Sequence, residues 1–284
     1  MHVLHAAILG LVEGITEYLP VSSTGHLILT SALLYGPDQP ATAKQALDTF
    51  EIVIQGGAIL AVLGLYWPRV QQMTSGLLGK DAAGLRLLGN ILTAFMPAAL
   101  LGLVLHKRIE ATLFRPGPVL GALALGGLVM ILIGGWQRRI VRAPAVADSA
   151  ALEQMTWKQA LLIGGLQCLS LWPGTSRSMV TIVGGMLVGL QPQPAAEFSF
   201  LLALPTLGAA CAYSALKDIA GLKLLGVGAT LTGLCVATVA ATVTVKLLVS
   251  FLNRHGLAPF GWYRLGLSAV MGLLIWQGWV QVAR

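Results

Sequence analysis

Two carboxylates lie close together near the start of the chain, inside a stretch that is otherwise apolar. Glu13 and Glu17 are four residues apart, so a helix would place both on one face, where like charges repel. In a low-dielectric setting that repulsion is costly, and a metal ion or an arginine between the carboxylates would remove it. The pair therefore predicts a cation site, with a divalent metal such as Mg²⁺ or Ca²⁺ or a guanidinium as its occupant.

A cluster of hydroxyls follows the two carboxylates. Ser22, Ser23 and Thr24 come directly after Pro20, where one helix breaks and a second can begin. A helix that begins there points free N–H groups and its positive dipole end outward, which suits a phosphate group. His26 lies three residues past Ser23, so the serine hydroxyl and the imidazole can meet on one face of the second helix.

A second hydroxyl cluster follows Pro173 and contains an arginine. Thr175, Ser176 and Ser178 flank Arg177, the only arginine in either cluster. Its guanidinium offers a planar fork of donors that matches a phosphate. The structural alternative is an ion pair between this arginine and a glutamate. Metal, arginine, hydroxyls and helix N-termini together are the groups that stabilise a transferring phosphoryl group.

The two clusters align as parts of an internal repeat. Placing residues 19–26 on 172–179 puts Ser23 on Ser176 and Thr24 on Arg177. Three apolar runs lie between the clusters, and this odd number would invert the second copy relative to the first. Inverted repeats whose broken helices meet near the middle of the membrane mark a binding site at their interface.

Capping is the simpler role for the hydroxyls in both clusters. For Ser22, Thr24 and Ser178, a role as helix cap and contact with a ligand are equally favoured. For Ser23 and Ser176, which coincide in the repeat, contact with a ligand is favoured. Glu51 and Glu197, at the starts of two apolar runs, fit packing or capping better than chemistry.

The composition indicates an integral membrane protein. Of the 284 residues, 56% are hydrophobic and only 10% are charged, against about 25% charged in a soluble domain. The net charge of +7 comes from cations that lie mostly between apolar runs, so anionic lipid headgroups are the expected partner and nucleic acid is not.

The apolar runs predict an all-α polytopic membrane protein with six transmembrane helices and two broken, re-entrant helical segments in an inverted repeat. The broken segments are 1–36 and 158–190. A single membrane domain is expected, with halves 1–136 and 158–284 and a linker 137–157. The six predicted spans are 50–67, 87–106, 117–136, 197–216, 224–249 and 260–282.

Basic residues in the loops favour one orientation by a small margin. The side with more of them is taken as cytoplasmic, so the N-terminal broken segment enters from outside. One side carries Arg69, Lys80, Arg86, Arg138, Arg139 and Arg142, and the other carries Lys107, Arg108 and Arg115.

The two clusters resemble the signature segments of a known family. Residues 13–26 and 173–178 are similar to those of undecaprenyl-diphosphate phosphatases, the bacitracin-resistance (BacA-type) family, and 50–55, 197–200 and 262–264 resemble further family segments. The match runs nearly end to end. This chain has Met179 where the family usually has glycine, and a side chain there is expected to narrow the phosphate pocket or change the approach of the helix.

The resemblance implies a hydrolase that removes the terminal phosphate of undecaprenyl diphosphate and leaves the monophosphate carrier for cell-wall synthesis. It also implies divalent-metal dependence and a site that opens to the outer face of the bacterial cytoplasmic membrane. Glu13 and Glu17 would bind the metal or position water, and Arg177 with Ser176 would bind the diphosphate.

Serine and histidine remain alternative nucleophiles at this point. In the favoured mechanism Ser23 attacks the terminal phosphorus while His26 acts as general base or acid. A nucleophilic His26 is the variant. A lipid-phosphate transporter is the rival function, because inverted repeats and a charged midplane site also fit a carrier. The sequence does not set the oligomeric state and leaves a homodimer open.

Overall fold

The computed structural model describes residues 1–36, 39–140 and 151–278, and every regular element within them is helical. A short 3₁₀ helix (Cys168–Leu171) lies between the eighth and ninth α-helices. The α-helices in chain order are α1 (Val3–Thr16), α2 (Ser23–Tyr35), α3 (Ala41–Leu65), α4 (Trp67–Leu77), α5 (Ala82–Leu113), α6 (Pro116–Ile140), α7 (Ala151–Gln154), α8 (Trp157–Gln167), α9 (Arg177–Leu187), α10 (Pro192–Lys217), α11 (Ile219–Leu225), α12 (Val227–His255) and α13 (Ala258–Trp276).

Six of the described helices are long and apolar enough to cross a membrane, and they are α3, α5, α6, α10, α12 and α13. Each coincides with one of the six predicted apolar runs, so the all-α polytopic class is confirmed. Residues 279–282 of the last run, and 141–150 of the linker with Arg142, lie outside the described residues. The structure adds the short helices α4, α7 and α11, which lie between the long ones.

Both predicted broken segments are helix–break–helix elements. In the first, α1 and α2 are separated by residues 17–22, and in the second α8 is separated from α9 by the 3₁₀ helix and residues 172–176. A helix needs about 20 residues to span the hydrocarbon core, and these four have 11 to 14. Their re-entrant course and the inverted relation between the halves remain predictions.

Helix α1 is held in direct backbone contact with α12. A Cβ atom added at Gly10 would lie 2.4 Å from the carbonyl oxygen of Gly233, and one added at Gly14 would lie 2.4 Å from that of Ala237. Small residues permit this close approach between membrane helices, which is stabilised by van der Waals packing. The contact fixes the face of α1 on which Glu13 is fully buried.

Candidate active site

The two helices that follow the breaks begin in the same way. Ser22 and Ser176 have φ angles of 72° and 74°, and they are the only non-glycine residues with positive φ among those described. The Ser22 hydroxyl accepts a hydrogen bond from the Gly25 N–H at 3.4 Å, and that of Ser176 accepts one from the Met179 N–H at 3.3 Å. A non-glycine residue in this conformation is strained, and such residues cluster at functional sites.

The caps correct the sequence alignment by one residue. Ser22 matches Ser176 in the structure, so Ser23 corresponds to Arg177, and not to Ser176 as the linear alignment predicted. The reason is the spacing, since the cap lies two residues after Pro20 but three after its counterpart proline. The first helical position therefore carries a hydroxyl in one segment and a guanidinium in the other.

Arg264 joins the two breaks, and its role was missed from the sequence although it lies in the family-like segment 262–264. It is fully buried on α13, and each of its five N–H groups can donate to a main-chain carbonyl. The oxygen acceptors are those of Pro20 (3.4 Å), Ala122 (2.9 Å), Leu123 (3.1 Å), Gly174 (2.7 Å) and Thr175 (2.9 Å). The signal for it was a lone arginine inside the apolar run 260–282.

Met179 packs beside this arginine. A Cβ atom at Gly126 of α6 would lie 2.4 Å from Nη2 of Arg264 and 3.0 Å from Cε of Met179. The methionine side chain, 3% exposed, thus lies against α6 on the side of the buried guanidinium. The expectation that this side chain narrows a phosphate pocket stays a prediction.

A hydrogen-bonded chain of three side chains connects the two segments. The Ser23 hydroxyl donates to Oε2 of Glu17 at 2.6 Å, and Nη2 of Arg177 donates to Oε1 of the same carboxylate at 3.1 Å. Nη1 of the arginine also donates to the main-chain oxygen of Ser199 at 2.9 Å. The ion pair weighed as an alternative is therefore formed, and it connects directly to the candidate nucleophile.

Glu13 lies next to this hydrogen-bonded group. Its carboxyl group lies beside that of Glu17, as predicted. Among the described residues, no donor lies in hydrogen-bonding geometry with its two buried oxygens, and no acceptor does so with Nε of Arg177. The oxygens of Glu17 are already taken by Ser23 and the arginine. A carboxylate buried without a partner is costly, so the unpaired oxygens of Glu13 fit a hard cation. Within the described residues, no group of three or more His, Cys, Asp or Glu side chains could hold a metal.

His26 makes two hydrogen bonds, neither of them to Ser23. Its Nδ1 lies 2.8 Å from the main-chain oxygen of Ser22, and its Nε2 lies 2.7 Å from the Tyr263 hydroxyl. The two rings are also stacked, with centroids 5.7 Å apart and planes 1° apart. A carbonyl only accepts, so Nδ1 carries a proton, and in the neutral ring Nε2 accepts from the tyrosine.

The hydrogen bonds of Ser23 and His26 differ from the contact that their spacing predicted. The acceptor of the Ser23 hydroxyl is Glu17, at 2.6 Å, and not the imidazole. The acid–base role of His26 stays a prediction. Tyr263 is the second residue that the sequence analysis missed, again within segment 262–264, and half of its surface is exposed.

The remaining predicted hydroxyls differ in their use. Ser178 donates to the main-chain oxygen of Leu19 at 3.0 Å and lies 3.1 Å from the hydroxyl of Ser176, so it connects the two segments. Thr175 is buried, and its carbonyl is among those bound by the buried guanidinium. Thr24 is partly exposed in the first turn of α2. Structural contacts thus account for Ser178 and for the main chain of Thr175.

Glu51 and Glu197 each have a hydrogen-bond partner outside the Ser23–Glu17–Arg177 group, and Glu51 also lies within electrostatic range of Glu13. Glu197 accepts from Nε of Arg69 at 2.7 Å, and Glu51 accepts from the Ser31 hydroxyl. These contacts agree with the packing role expected from the sequence.

The fold and the site together define a polytopic membrane protein in which two broken helices meet at a buried polar site. A serine, a carboxylate and an arginine are hydrogen-bonded there. The family model described as "Bacitracin resistance protein BacA" matches residues 6–270, and the chain belongs to this family.

Curated relatives match this chain over nearly its full length. It is 47% identical to the undecaprenyl-diphosphatase of Sorangium cellulosum, over 95% of this chain and 85% of the relative. It is 44% identical to undecaprenyl-diphosphatase 2 of Rhodospirillum rubrum, over 98% and 96%. It is 42% identical to the undecaprenyl-diphosphatase of a Polaromonas species, over 97% and 96%.

Proposed function

We propose that this protein hydrolyses undecaprenyl diphosphate to undecaprenyl phosphate and inorganic phosphate, and so recycles the lipid carrier for cell-wall synthesis. The observation that carries the proposal is the hydrogen-bonded chain of Ser23, Glu17 and Arg177 at the starts of two helices. The names and full-length match of the relatives support the same activity.

Arg177 and the N-termini of α2 and α9 bind the diphosphate. Nε of the arginine has no acceptor among the described residues, and phosphate oxygens supply the acceptors that a buried guanidinium requires. The first N–H groups of a helix have no partner within the helix and are accompanied by a positive dipole end. Substrate binding thus places the negative charge of the terminal phosphate beside the guanidinium. It also gives hydrogen-bond acceptors to Nε of Arg177 and to the first N–H groups of the two helices.

Ser23 then attacks the terminal phosphorus. Its oxygen forms a bond to that phosphorus while its proton passes to Glu17, which already accepts its hydrogen bond at 2.6 Å. The bond from phosphorus to the bridging oxygen breaks, and undecaprenyl phosphate leaves. Arg177 stabilises the negative charge that develops on the transferring phosphoryl group.

Water completes the reaction. It attacks the phosphoserine, loses a proton to a neighbouring base, and releases inorganic phosphate while Ser23 regains its hydroxyl hydrogen from Glu17. His26, which is hydrogen-bonded to the Ser22 carbonyl and to Tyr263, is the second acid–base group of the proposed mechanism. A phosphohistidine intermediate is the competing mechanism and has its own test below.

Glu13 is the residue proposed to hold a divalent metal, with Glu17 beside it. Its two unpaired buried oxygens are hard ligands of the kind that Mg²⁺ and Ca²⁺ take. A bound metal supplies Lewis-acid stabilisation of the phosphate oxygens. Glu13, with Glu17 beside it, would hold the metal next to the Ser23 hydroxyl, whose hydrogen bond Glu17 accepts.

The site is proposed to open to the outer face of the bacterial cytoplasmic membrane. The small excess of basic residues in the loops on one side supports this orientation. It would place the start of α1 on the outer side. A homodimer is the assembly that the sequence left open, and the mass of the protein in detergent decides it.

Phosphate release by the purified protein in detergent tests the activity, because no transport can occur there. Wild-type protein should release phosphate from undecaprenyl diphosphate, and Ser23→Ala should nearly abolish the release. The matched control is Ser75→Ala, which removes a serine hydroxyl on α4 and should leave the rate unchanged. A lipid-phosphate carrier would release no phosphate in this assay, and that result would overturn the proposal.

A further inference from the structure

A long apolar cleft runs beside the site between α1 and α12 and ends at the start of α13. Its volume is about 1050 Å³, at the upper end of the range for pockets that enclose a small ligand. Leu11 and Ile15 of α1 form one wall together with Leu19 of the following break, and Val239 and Val243 lie on the other. These α1 residues lie on the side of the helix away from buried Glu13.

The cleft reaches the catalytic region at Leu19. This residue lines the cleft, and its main-chain oxygen accepts the Ser178 hydrogen bond that connects the two broken segments. Phe260, also in the lining, packs against Phe251 of α12, with ring centroids 5.2 Å apart, and so marks the part of the cleft near the C-terminal end of α12. The cleft thus extends from the break that contains Leu19 along α12.

The dimensions of the cleft suit a long hydrocarbon chain. Cys235 and His255 both line it, and the stretch of α12 between them rises by about 30 Å. This length equals the thickness of the hydrocarbon core of a bilayer. Arg254 and His255 lie at the C-terminal end of α12. None of the described residues that line the cleft is acidic.

We infer that this cleft holds the polyprenyl chain of the substrate while the diphosphate lies between the two broken segments. The inference rests on the proposed function, since an amphiphilic substrate must place its chain next to its headgroup. The cleft would then make α1 and α12 a specificity element for long chains, in addition to the diphosphate-binding groups.

The expected preference for long polyprenyl chains depends on the environment from which the chain enters the cleft. Lipid or detergent tails are as apolar as the cleft, so transfer into it gains no hydrophobic free energy. What remains is shape-dependent van der Waals contact, which is small per atom and adds up over a chain. A moderate preference for long over short substrates is therefore expected.

Filling the cleft tests the inference by kinetics. Val243→Trp places a bulky side chain in the lining, and the matched control Leu231→Trp makes the same change at another exposed position of α12 that does not line the cleft. The quantity measured is kcat/KM for undecaprenyl diphosphate divided by that for farnesyl diphosphate. Val243→Trp should lower this ratio about fivefold or more, and the control should leave it unchanged.

The outcomes separate this inference from the proposed function. If Val243→Trp reduces both substrates equally, or changes the ratio no more than Leu231→Trp does, the cleft does not hold the chain, although the phosphatase activity stands. If the wild-type protein hydrolyses neither substrate, the proposed function itself fails.

Photolabelling gives a readout that does not depend on turnover. A polyprenyl diphosphonate with a diazirine midway along its chain should label α12 between Cys235 and Phe251, and excess unlabelled diphosphonate should prevent it. Labelling spread evenly over the other lipid-facing helices would overturn the inference. Competition by an anionic phospholipid, with no effect of the unlabelled diphosphonate, would assign the cleft to a membrane lipid with its headgroup at Arg254 and would also overturn it.

Discussion

The hydrogen bond from Ser23 to Glu17 predicts that these two residues act as one catalytic unit. At 2.6 Å the carboxylate is positioned to take the serine proton, and loss of a general base typically reduces the rate by about 10²–10⁴-fold. At about 1.36 kcal/mol per tenfold, this corresponds to about 2.7–5.5 kcal/mol of transition-state stabilisation. Glu17→Gln should show a loss in this range, and Ser23→Ala should show a loss at least as large.

A double-mutant cycle distinguishes a unit from two independent contributors. If the carboxylate acts only through the serine hydroxyl, the Glu17→Gln/Ser23→Ala double variant should be no slower than Ser23→Ala alone. Independent effects would instead multiply. The assay is phosphate release in detergent under single-turnover conditions, with the melting temperature of each variant measured to exclude unfolding. Glu197→Gln is the matched control, because it weakens the ion pair between Glu197 and Arg69, which is separate from the Ser23–Glu17–Arg177 group.

His26 supplies the result that would refute this reasoning. If the imidazole is the nucleophile, Ser23→Ala loses only a binding contact, on the order of 1–3 kcal/mol, and keeps brisk turnover. His26→Ala would then abolish the reaction, and an acid-labile phosphohistidine could be trapped. Phosphate found on His26, or near-normal turnover by Ser23→Ala, would contradict the hydrogen-bond geometry as a description of the reacting state.

Three further predictions follow from the same contacts. Arg177→Lys keeps the positive charge but loses the planar fork that donates to Glu17 and to the Ser199 carbonyl, so kcat/KM should fall at least about tenfold. A near-normal value would show that only the positive charge of this residue matters. Chelation should abolish phosphate release and added Mg²⁺ or Ca²⁺ should restore it, whereas full turnover after exhaustive chelation would remove Glu13 from a metal role. Arg264→Lys offers three donors for five carbonyls, which leaves at least two unpaired at about 1–3 kcal/mol each, so the melting temperature in detergent should drop clearly, and an unchanged one would contradict the bridging role.

The class of fold could be predicted because a membrane-spanning helix requires a long run of apolar residues, which is visible in the sequence. Six long apolar runs and two proline-broken ones are local properties of the chain, and the structure has a helix or a helix–break–helix element at each. The residue types in the site were local signals as well, since Glu13, Glu17 and Arg177 are conspicuous in apolar surroundings. Hydropathy had no comparable signal for α4, α7 and α11.

The partners of those residues could not be predicted, because they depend on contacts distant in the chain. Helical spacing alone made His26 the natural partner of Ser23, but the break at residues 17–22 folds Glu17 back onto the serine instead. Tyr263 reaches the imidazole from 237 residues away. Arg264 was equally hidden, since its function is to bind main-chain carbonyls whose positions only the fold defines.

The backbone contact between α1 and α12 implies an order of events during biosynthesis. Gly10 leaves the ribosome roughly 220 residues before Gly233, an interval on the order of 10–45 s at ordinary rates of translation. Over most of this time Glu13 and Glu17 lack Arg177, and α1 lacks its contact with α12 throughout, so the first segment is not stabilised in the bilayer core. Nascent chains that end before α12 should therefore leave a cysteine introduced at residue 15 open to water-soluble thiol reagents, and chains that include α12 should protect it.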